Sequence, residues 1–547
     1  MTHNNPDLTK HLLYVQFGGS KQKWKSLCHN GVIFAPDYVK HNIPVVYEGE
    51  KVYLDELAEE YATLYAKFID TEYIKNSVFN KNFWKDWKKV LGKEHKIQSL
   101  DECNFNLIQK YILDEKEKAK NVSKEEREQI KKNKEEYEKK YKVATLDGIE
   151  QPVGNFRMEP PGIFLGRGCH PKLGRIKKRV YPEDITLNIG RDCEIPKPLD
   201  GHEWGKIIHD RKVEWLASWK DNITGKTKYV WLGSKSTFKA ESDIKKFELA
   251  RKLKRKIKSI RDENYKNLLS TDLTTRQIAS ALYFIDHLAL RVGNEKGQDE
   301  ADTVGVTSLR VEHVKLLDNK HITLDFLGKD SIRYKKTFDV DEVVYKNLQE
   351  FTHNKSKDDE LFDKINSASI NKYLQSFMKD LTAKVFRTYN ASQLFQKELN
   401  KVTKKYDSLD EATKIDFLLD GFNKANIKVA LLCNHQKKVS KKFDEQVEKM
   451  TSNIKEQQKK LRKIKDIAKN KERREKLKHK IAKLKSKRDL KIELRSLSLD
   501  TSKTNYIDPR ITVSFIKKHN LPIDKIFSKN LQEKFQWAFE IDGNWKF

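Results

Sequence analysis

Residues 441–495 contain neither Gly nor Pro, and Ile454, Leu461, Ile464, Leu477, Ile481 and Leu484 recur within them at helical or heptad-like spacing. Over 451–490, 17 Lys and Arg stand against 5 Asp and Glu, a surplus of 12. An antiparallel helical hairpin projecting from a body satisfies both facts, because the apolar seam is buried while the charge stays in water. The residues that follow return to globular composition (ITVSFIKKHNLPIDKIF, FQWAFEIDGNWKF). That terminal piece has to dock back on the body to bury its aromatics.

The body divides by pattern. At roughly 150 residues per domain, 547 residues allow three or four domains. The first twenty or so residues carry little pattern and read as a tail. From Trp24 to Tyr111, aromatic and aliphatic residues alternate with turn signals such as Ala35-Pro36-Asp37, which predicts a compact α+β unit. Residues 114–142 are almost wholly charged with mixed sign, which predicts a solvated helix with i,i+4 pairs. In the β-rich stretch 150–236, Val213, Trp215, Ala217 and Trp219 alternate, as do Tyr229 and Trp231. The turn residues from Asp221 to Gly225 between them predict a hairpin. A basic helical stretch follows at 250–262. The pattern over 272–436 is mainly helical, as in Ile278, Leu282, Ile285 and Leu288.

Composition narrows the partners. The 110 Lys and Arg exceed the 80 Asp and Glu by 30, and a surplus of that size concentrates polyanions at a protein surface. With 26 Phe, 20 Tyr and 9 Trp the chain is not a disordered polycation. No apolar run approaches the ~20 residues that cross a bilayer, and no charged-then-apolar leader follows Met1, so a soluble, non-secreted protein is expected. Cys28, Cys103, Cys169, Cys193 and Cys433 form no CxxC pair, which fits a reducing compartment and leaves no zinc finger to explain the charge.

Several common catalytic machines are missing. Gly328-Lys329-Asp330-Ser331 resembles the end of a phosphate-binding loop, but Thr323 stands where its first Gly must be. His202-Glu203 has its next His at 209, too far for two ligands on one helical face. No acidic pattern suggests a two-metal nuclease. If the chain acts on DNA phosphates, organic cations must do what magnesium does elsewhere.

Five segments carry candidate chemistry. LALRVGNEK (288–296) ends an amphipathic helix at Arg291, with Gly293 as the stop. DFLGKDSIRY (325–334) sets Lys329 exposed at a hairpin tip. LTAKVFRTYNAS (381–392) places Arg387 in a helical stretch three residues after Lys384. ALLCNHQ (430–436) carries His435 at the end of an apolar helix. SKTNYIDPRIT (502–512) puts Tyr506 just before the helix-start signal Asp508-Pro509. Taken singly, each is ordinary: an Arg closing a helix commonly meets the dipole, a turn Lys is commonly solvated, and a lone His or Tyr commonly packs or hydrogen-bonds.

In this order, the five segments resemble the eukaryotic type IB DNA topoisomerase family, and EPPGIFLGRGCHPKLG (159–174) is similar to that family's DNA-clamping segment. The resemblance runs from about Trp24 to Phe547. It implies an α+β multidomain DNA clamp: a mixed α/β cap, a mainly helical catalytic domain of the tyrosine recombinase/topoisomerase IB type, a coiled-coil linker and a small helical C-terminal domain. The expected boundaries are a tail 1–21, a DNA-binding cap 22–236, a catalytic core 237–438, a basic linker 439–495 and a C-terminal domain 496–547. The resemblance further implies Tyr506 as nucleophile, giving a 3′-phosphotyrosyl bond and a free 5′-hydroxyl. Arg291, Arg387 and His435 would hold the non-bridging oxygens, and Lys329 would protonate the leaving oxygen. DNA contacts are expected from Arg167, Lys172, Lys177, Lys296, Asp330, Lys384 and Asn505, the last where camptothecin-type drugs lodge in this family. No cofactor or metal is expected. The partner is double-stranded DNA, encircled by a monomer, with replication, transcription or chromatin proteins as further partners and no membrane.

The chemistry agrees with that assignment. Charge in a phosphodiester displacement gathers on the equatorial and leaving oxygens, where preorganised donors act most strongly. Guanidiniums offer planar forks that stay charged at any working pH. A phenol, with pKa about 10, needs such a cationic surround or a water to lose its proton. Only about twenty residues precede the match, so the family's long charged N-terminal region is not expected in this chain. Basic clusters at 251–258 and 174–179 read as DNA-facing elements or as import signals. The nucleus is the expected location, with a viral factory or virion as the alternative. Two other readings stay open: a site-specific tyrosine recombinase, and a non-catalytic basic DNA- or RNA-binding chromatin protein.

Overall fold

The computed structural model describes residues 22–547 apart from 295, 298, 407–410, 438, 440, 441 and 465–467, and leaves out the side chains of 411–413 and 468. The expected tail, Glu295 of GNEK and part of the expected linker therefore lie outside the described residues. The chain is a multidomain α+β protein. Its two compact units are, first, the described residues up to Gly166 together with Pro171–Lys239, and second, Arg167–His170 with Ala240–Phe547.

The first unit has two cores. One is built on α1 (Glu56–Ala66), α2 (Ser77–Leu91) and α3 (Asn106–Lys120). In α2, Phe79, Phe83 and Trp87 recur every four residues, so they fall on one helical face, and all three are fully buried. Removing each ring from water contributes on the order of 1.5–3 kcal/mol. Tyr65 stacks on Phe83 at 4.2 Å, and the Trp87 indole donates to the Ala58 carbonyl at 3.0 Å.

The second core lies on a four-stranded sheet in the order Lys206–Ile208, Thr186–Asn188, Trp215–Lys220, Thr227–Trp231. The expected hairpin is present, with Gly225 at φ +67° closing its turn. Strict alternation is lost, since Leu216, Ala217, Ser218 and Trp219 are all buried. Both faces of that strand are therefore covered, and a bulge lies between Trp215 and Ala217.

Two expectations need correction in this unit. The charged run is two helices, α3 and α4 (Lys124–Lys139), because Ser123 starts the second. Its Oγ accepts from Glu126 N at 3.1 Å while the Glu126 carboxylate accepts from Ser123 N at 3.2 Å, a reciprocal cap that satisfies two otherwise orphaned donors. The exposed i,i+4 pairing appears as Lys131–Glu135 at 3.8 Å. The reading of the cysteines as those of a reducing compartment also changes. Cys28 and Cys193 form a disulfide with Cα atoms 5.5 Å apart, while Cys103, Cys169 and Cys433 are free. Gly190 donates to the Leu27 carbonyl at 2.7 Å, and a Cβ there would meet that oxygen at 3.0 Å. A bare backbone thus lets the two cysteine segments approach from 165 residues apart.

The second unit is mainly helical. Its elements are α5 (Thr237–Leu268, from residue 240), α6 (Leu273–His287), α7 (Glu342–Thr352), α8 (Ser367–Phe377), α9 (Ala383–Tyr406) and α10 (Glu411–Leu432). They pack with a three-stranded antiparallel sheet of Val314–Leu316, His321–Gly328 and Ile332–Asp339. Phe395 of α9 meets Phe422 of α10 edge-on at 5.2 Å, and Gly421 lets α10 close on Val402. The expected helical hairpin is α11 (Phe443–Lys463) and α12 (Lys471–Glu493), with Ile454 and Ile481 buried. Lys483 of α12 pairs with Asp416 of α10 at 2.6 Å. The terminal segment, α13 (Leu499–Asn505) and α14 (Pro509–Lys518) with the residues beyond, does dock back: Phe515, Phe527, Phe535 and Phe547 share one buried core with Phe386 and Phe395.

Candidate active site

Four segments far apart in sequence meet in the second unit. Arg291 does not end a helix as expected. The helix α6 stops at His287, Ala289 turns back at φ +50°, and Arg291 lies in an irregular strand-like stretch. Its carbonyl accepts from Val306 N at 2.9 Å, and Val292 O accepts from Thr307 N at 2.7 Å. Gly293, at φ +90°, lies so close to Gly305 that a Cβ on Gly305 would sit 2.4 Å from the Gly293 Cα. The two glycines let this stretch run directly beside its neighbour, which fixes where Arg291 emerges.

Arg387 rises from the first turns of α9 and is buried. Its guanidinium donates to the Ala289 carbonyl at 3.2 Å and to the Cys433 carbonyl, and Nη2 lies 3.5 Å from His435 Nε2. Its Nε is buried with no hydrogen-bond partner among the described residues. His435 follows the end of α10 through a turn at Asn434 (φ +51°), with its N–H on the Ala430 carbonyl and its own carbonyl accepting from Ser498 N, both at 2.9 Å. Its Nδ1 is 2.7 Å from Ser502 Oγ.

Tyr506 caps the C-terminal end of α13, as the Asp508-Pro509 signal predicts for the start of α14. Its N–H is bonded to the Ser502 carbonyl at 3.0 Å, and its carbonyl accepts from Ser392 Oγ at 3.1 Å. The ring stacks on His435 at 5.2 Å, and the Arg387 guanidinium lies 5.0 Å from its centroid. Arg291 Nη2 donates to Tyr506 Oη at 3.3 Å.

Lys329 sits exposed between strands His321–Gly328 and Ile332–Asp339, at the tip the sequence predicts. It lines a cleft of about 140 Å³ with Arg291, Arg387, His435, Asp330 and Thr501. Tyr506 meets that cleft through Arg291. Two guanidiniums, an imidazole and a lysine thus line one cleft, a set of groups suited to an oxyanion.

The charges respond to this crowding. Burial, then the neighbouring Arg387, pulls the Arg291 pKa below its usual value. Burial first, then Arg387 and Arg291, pushes His435 down to about 3, so its imidazole is neutral at physiological pH. An unfolded His near 6.5 binds more protons than the folded one between pH 6.5 and 3, so stability must fall as pH drops through that window. His435→Gln should therefore lose less stability than the parent between pH 7 and pH 4. Urea unfolding at the two pH values measures this, and equal losses in both proteins would show that His435 does not titrate as described.

The remaining expected site residues are placed variously. Arg167 forms an ion pair with Asp330, beside the Lys329 turn. Asn505 is exposed, with its amide on the Thr501 carbonyl at 3.1 Å. Lys384 is exposed on α9, and Lys296 is exposed 4.0 Å from Glu300; neither lines the cleft. Lys172 and Lys177 belong to the first unit. There Lys172 donates to the Ile223 carbonyl at 3.0 Å and Lys177 pairs with Glu159. Sequence reasoning missed Ser392 and Ser502, which hold Tyr506 and His435. The i,i+4 spacing of Ser502 and Tyr506 was the available signal for one of them.

In class, this is a cationic anion-binding cleft with a phenol at its edge, carried by a helical domain. Comparison with known sequences makes that class specific. Residues 22–232 match the family described as eukaryotic DNA topoisomerase I, DNA binding fragment; 235–468 match its catalytic core; and 478–547 match the C-terminal topoisomerase domain. DNA topoisomerase 1 of Caenorhabditis elegans is 46% identical over 548 residues, covering 95% of this chain and 67% of the relative. DNA topoisomerase 1 beta of Arabidopsis thaliana is 44% identical over 97% of this chain and 60% of its own length. DNA topoisomerase 1 of Homo sapiens is 42% identical over 96% and 72%. The chain belongs to the eukaryotic DNA topoisomerase I family. It spans between 60% and 67% of the length of the worm and plant relatives. Among the described residues no helix is long and apolar enough to cross a membrane.

Proposed function

We propose that this protein is a type IB topoisomerase that nicks one strand of duplex DNA, lets it rotate and reseals it without nucleotide or metal. The observation that carries this reading is the gathering of Arg291, Arg387 and His435 around the phenol of Tyr506. In the proposed step Tyr506 Oη forms a bond to phosphorus as the bond from phosphorus to the 5′ oxygen breaks. The Lys329 ammonium gives its proton to that leaving oxygen, which departs as a hydroxyl. The phenol proton passes to water, since Tyr506 Oη has Arg291 as its hydrogen-bond partner and no carboxylate within that distance among the described residues. The two arginines and the neutral imidazole hold the equatorial oxygens while charge builds there.

One phosphodiester replaces another of similar energy, so the reaction runs both ways and torsional strain in the DNA supplies direction. The basic face of α11 and α12 would lie along DNA and slow rotation, an effect that weakens with salt. Arg167, Asp330, Asn505, Lys296 and Lys384, with Lys172 and Lys177 of the first unit, belong to this proposal as DNA contacts. So do the expected domain roles, encirclement of the duplex by a monomer and a nuclear location.

The test is direct. The purified protein should relax positively and negatively supercoiled plasmid alike in EDTA without ATP. Binding without relaxation would favour a chromatin protein, and joining at one defined site would favour a recombinase.

A further inference from the structure

Ser502 is absent from the catalytic set and is fully buried. Its hydroxyl lies 2.7 Å from His435 Nδ1, and its carbonyl accepts from the backbone N–H groups of both Tyr506 and Ile507 at 3.0 Å. One residue therefore grips the imidazole with its side chain and the nucleophile with its backbone. A buried hydroxyl proton needs an acceptor, and His435 Nδ1 is the one it has among the described residues. If Nδ1 itself carried hydrogen, the Ser502 proton would be stranded in the interior at a cost of a hydrogen bond. The arrangement with every proton placed has Ser502 O–H donating to Nδ1.

A neutral imidazole that accepts at Nδ1 must carry its hydrogen on Nε2, the nitrogen 3.5 Å from Arg387 Nη2. Two donors then face each other there, with the unpartnered Arg387 Nε nearby on the same guanidinium. That grouping is incomplete until an oxyanion enters and accepts from all of them. The opposite tautomer would offer the oxyanion a lone pair.

We infer that Ser502 is a positioning residue: its hydroxyl locks His435 in the tautomer that presents Nε2–H to the scissile phosphate. This rests on the reading of the cleft as a phosphodiester-transfer site. Ser502→Ala removes the lock without adding volume and leaves the backbone bonds to Tyr506 and Ile507 in place. Single-turnover cleavage should slow roughly 10–100-fold, the scale expected when the partner that orients a working imidazole is lost, with duplex affinity unchanged. The double variant with His435→Ala should be no slower than His435→Ala alone, because Ser502 acts only through that ring. Nitrogen NMR of labelled histidine in the free protein should show the Nε2–H form of His435 in the parent and a tautomer mixture in Ser502→Ala.

Losses that multiply in the double variant would overturn the inference, as would an Nδ1–H form in the parent. Thermal unfolding of Ser502→Ala identifies a folding defect, and in that case the parent's tautomer decides the matter alone. A parent that never cleaves DNA would sink the proposed activity instead, while the NMR result would still report on Ser502.

Discussion

Tyr506→Phe should yield a protein that binds duplex DNA as the parent does and neither relaxes plasmid nor forms a covalent adduct trapped by detergent. The substitution removes a single oxygen. The ring keeps its stacking on His435 at 5.2 Å and its place 5.0 Å from the Arg387 guanidinium, and the backbone bonds to Ser502 and Ser392 do not involve the hydroxyl. Affinity, which comes mainly from many cation–phosphate contacts, should stay within about threefold. In the proposed reaction the adduct cannot form, because the substitution removes the attacking oxygen that stands beside Arg291. A protein–DNA adduct in the Phe variant would show that another residue attacks.

Lys329→Ala carries the next largest effect. Its side chain is exposed on a tight turn in which Asp330 and Ser331 both have positive φ, and the Arg167–Asp330 ion pair ties the turn down beside it. An alkoxide leaves poorly unless protonated, and loss of a general acid costs about 10²–10⁴-fold. Cleavage of an ordinary duplex should slow by that factor. A substrate with sulfur at the 5′ bridging position should restore most of the rate, since a thiolate leaves without a proton. An equal defect on both substrates would assign Lys329 to binding instead of proton transfer.

Much of this site was legible because its residues sit in strings whose local signals agree. Asp508-Pro509 fixed the start of α14 and hence the end of α13 at Tyr506, and the Gly328-Lys329-Asp330 turn put Lys329 at a tip. The sequence pattern assigns Arg291 to the wrong element, because its neighbours 278–288 have helical spacing while Ala289 adopts a left-handed conformation that no side-chain pattern announces. Ser392 and Ser502 stayed hidden because small hydroxyls gain their roles only when distant segments meet. The same reason concealed the Cys28–Cys193 disulfide, whose partners are brought together where the loop after Gly190 meets the strand Leu27–His29. The charged run kept its helical character, but Ser123 split it.

The contact between Gly293 and Gly305 makes the aim of Arg291 depend on atoms that are not there. The proposed activity is thus vulnerable to the smallest possible genetic insult. Adding one methyl group at either glycine would splay two backbone runs and swing the arginine off target, while leaving every reactive side chain chemically intact.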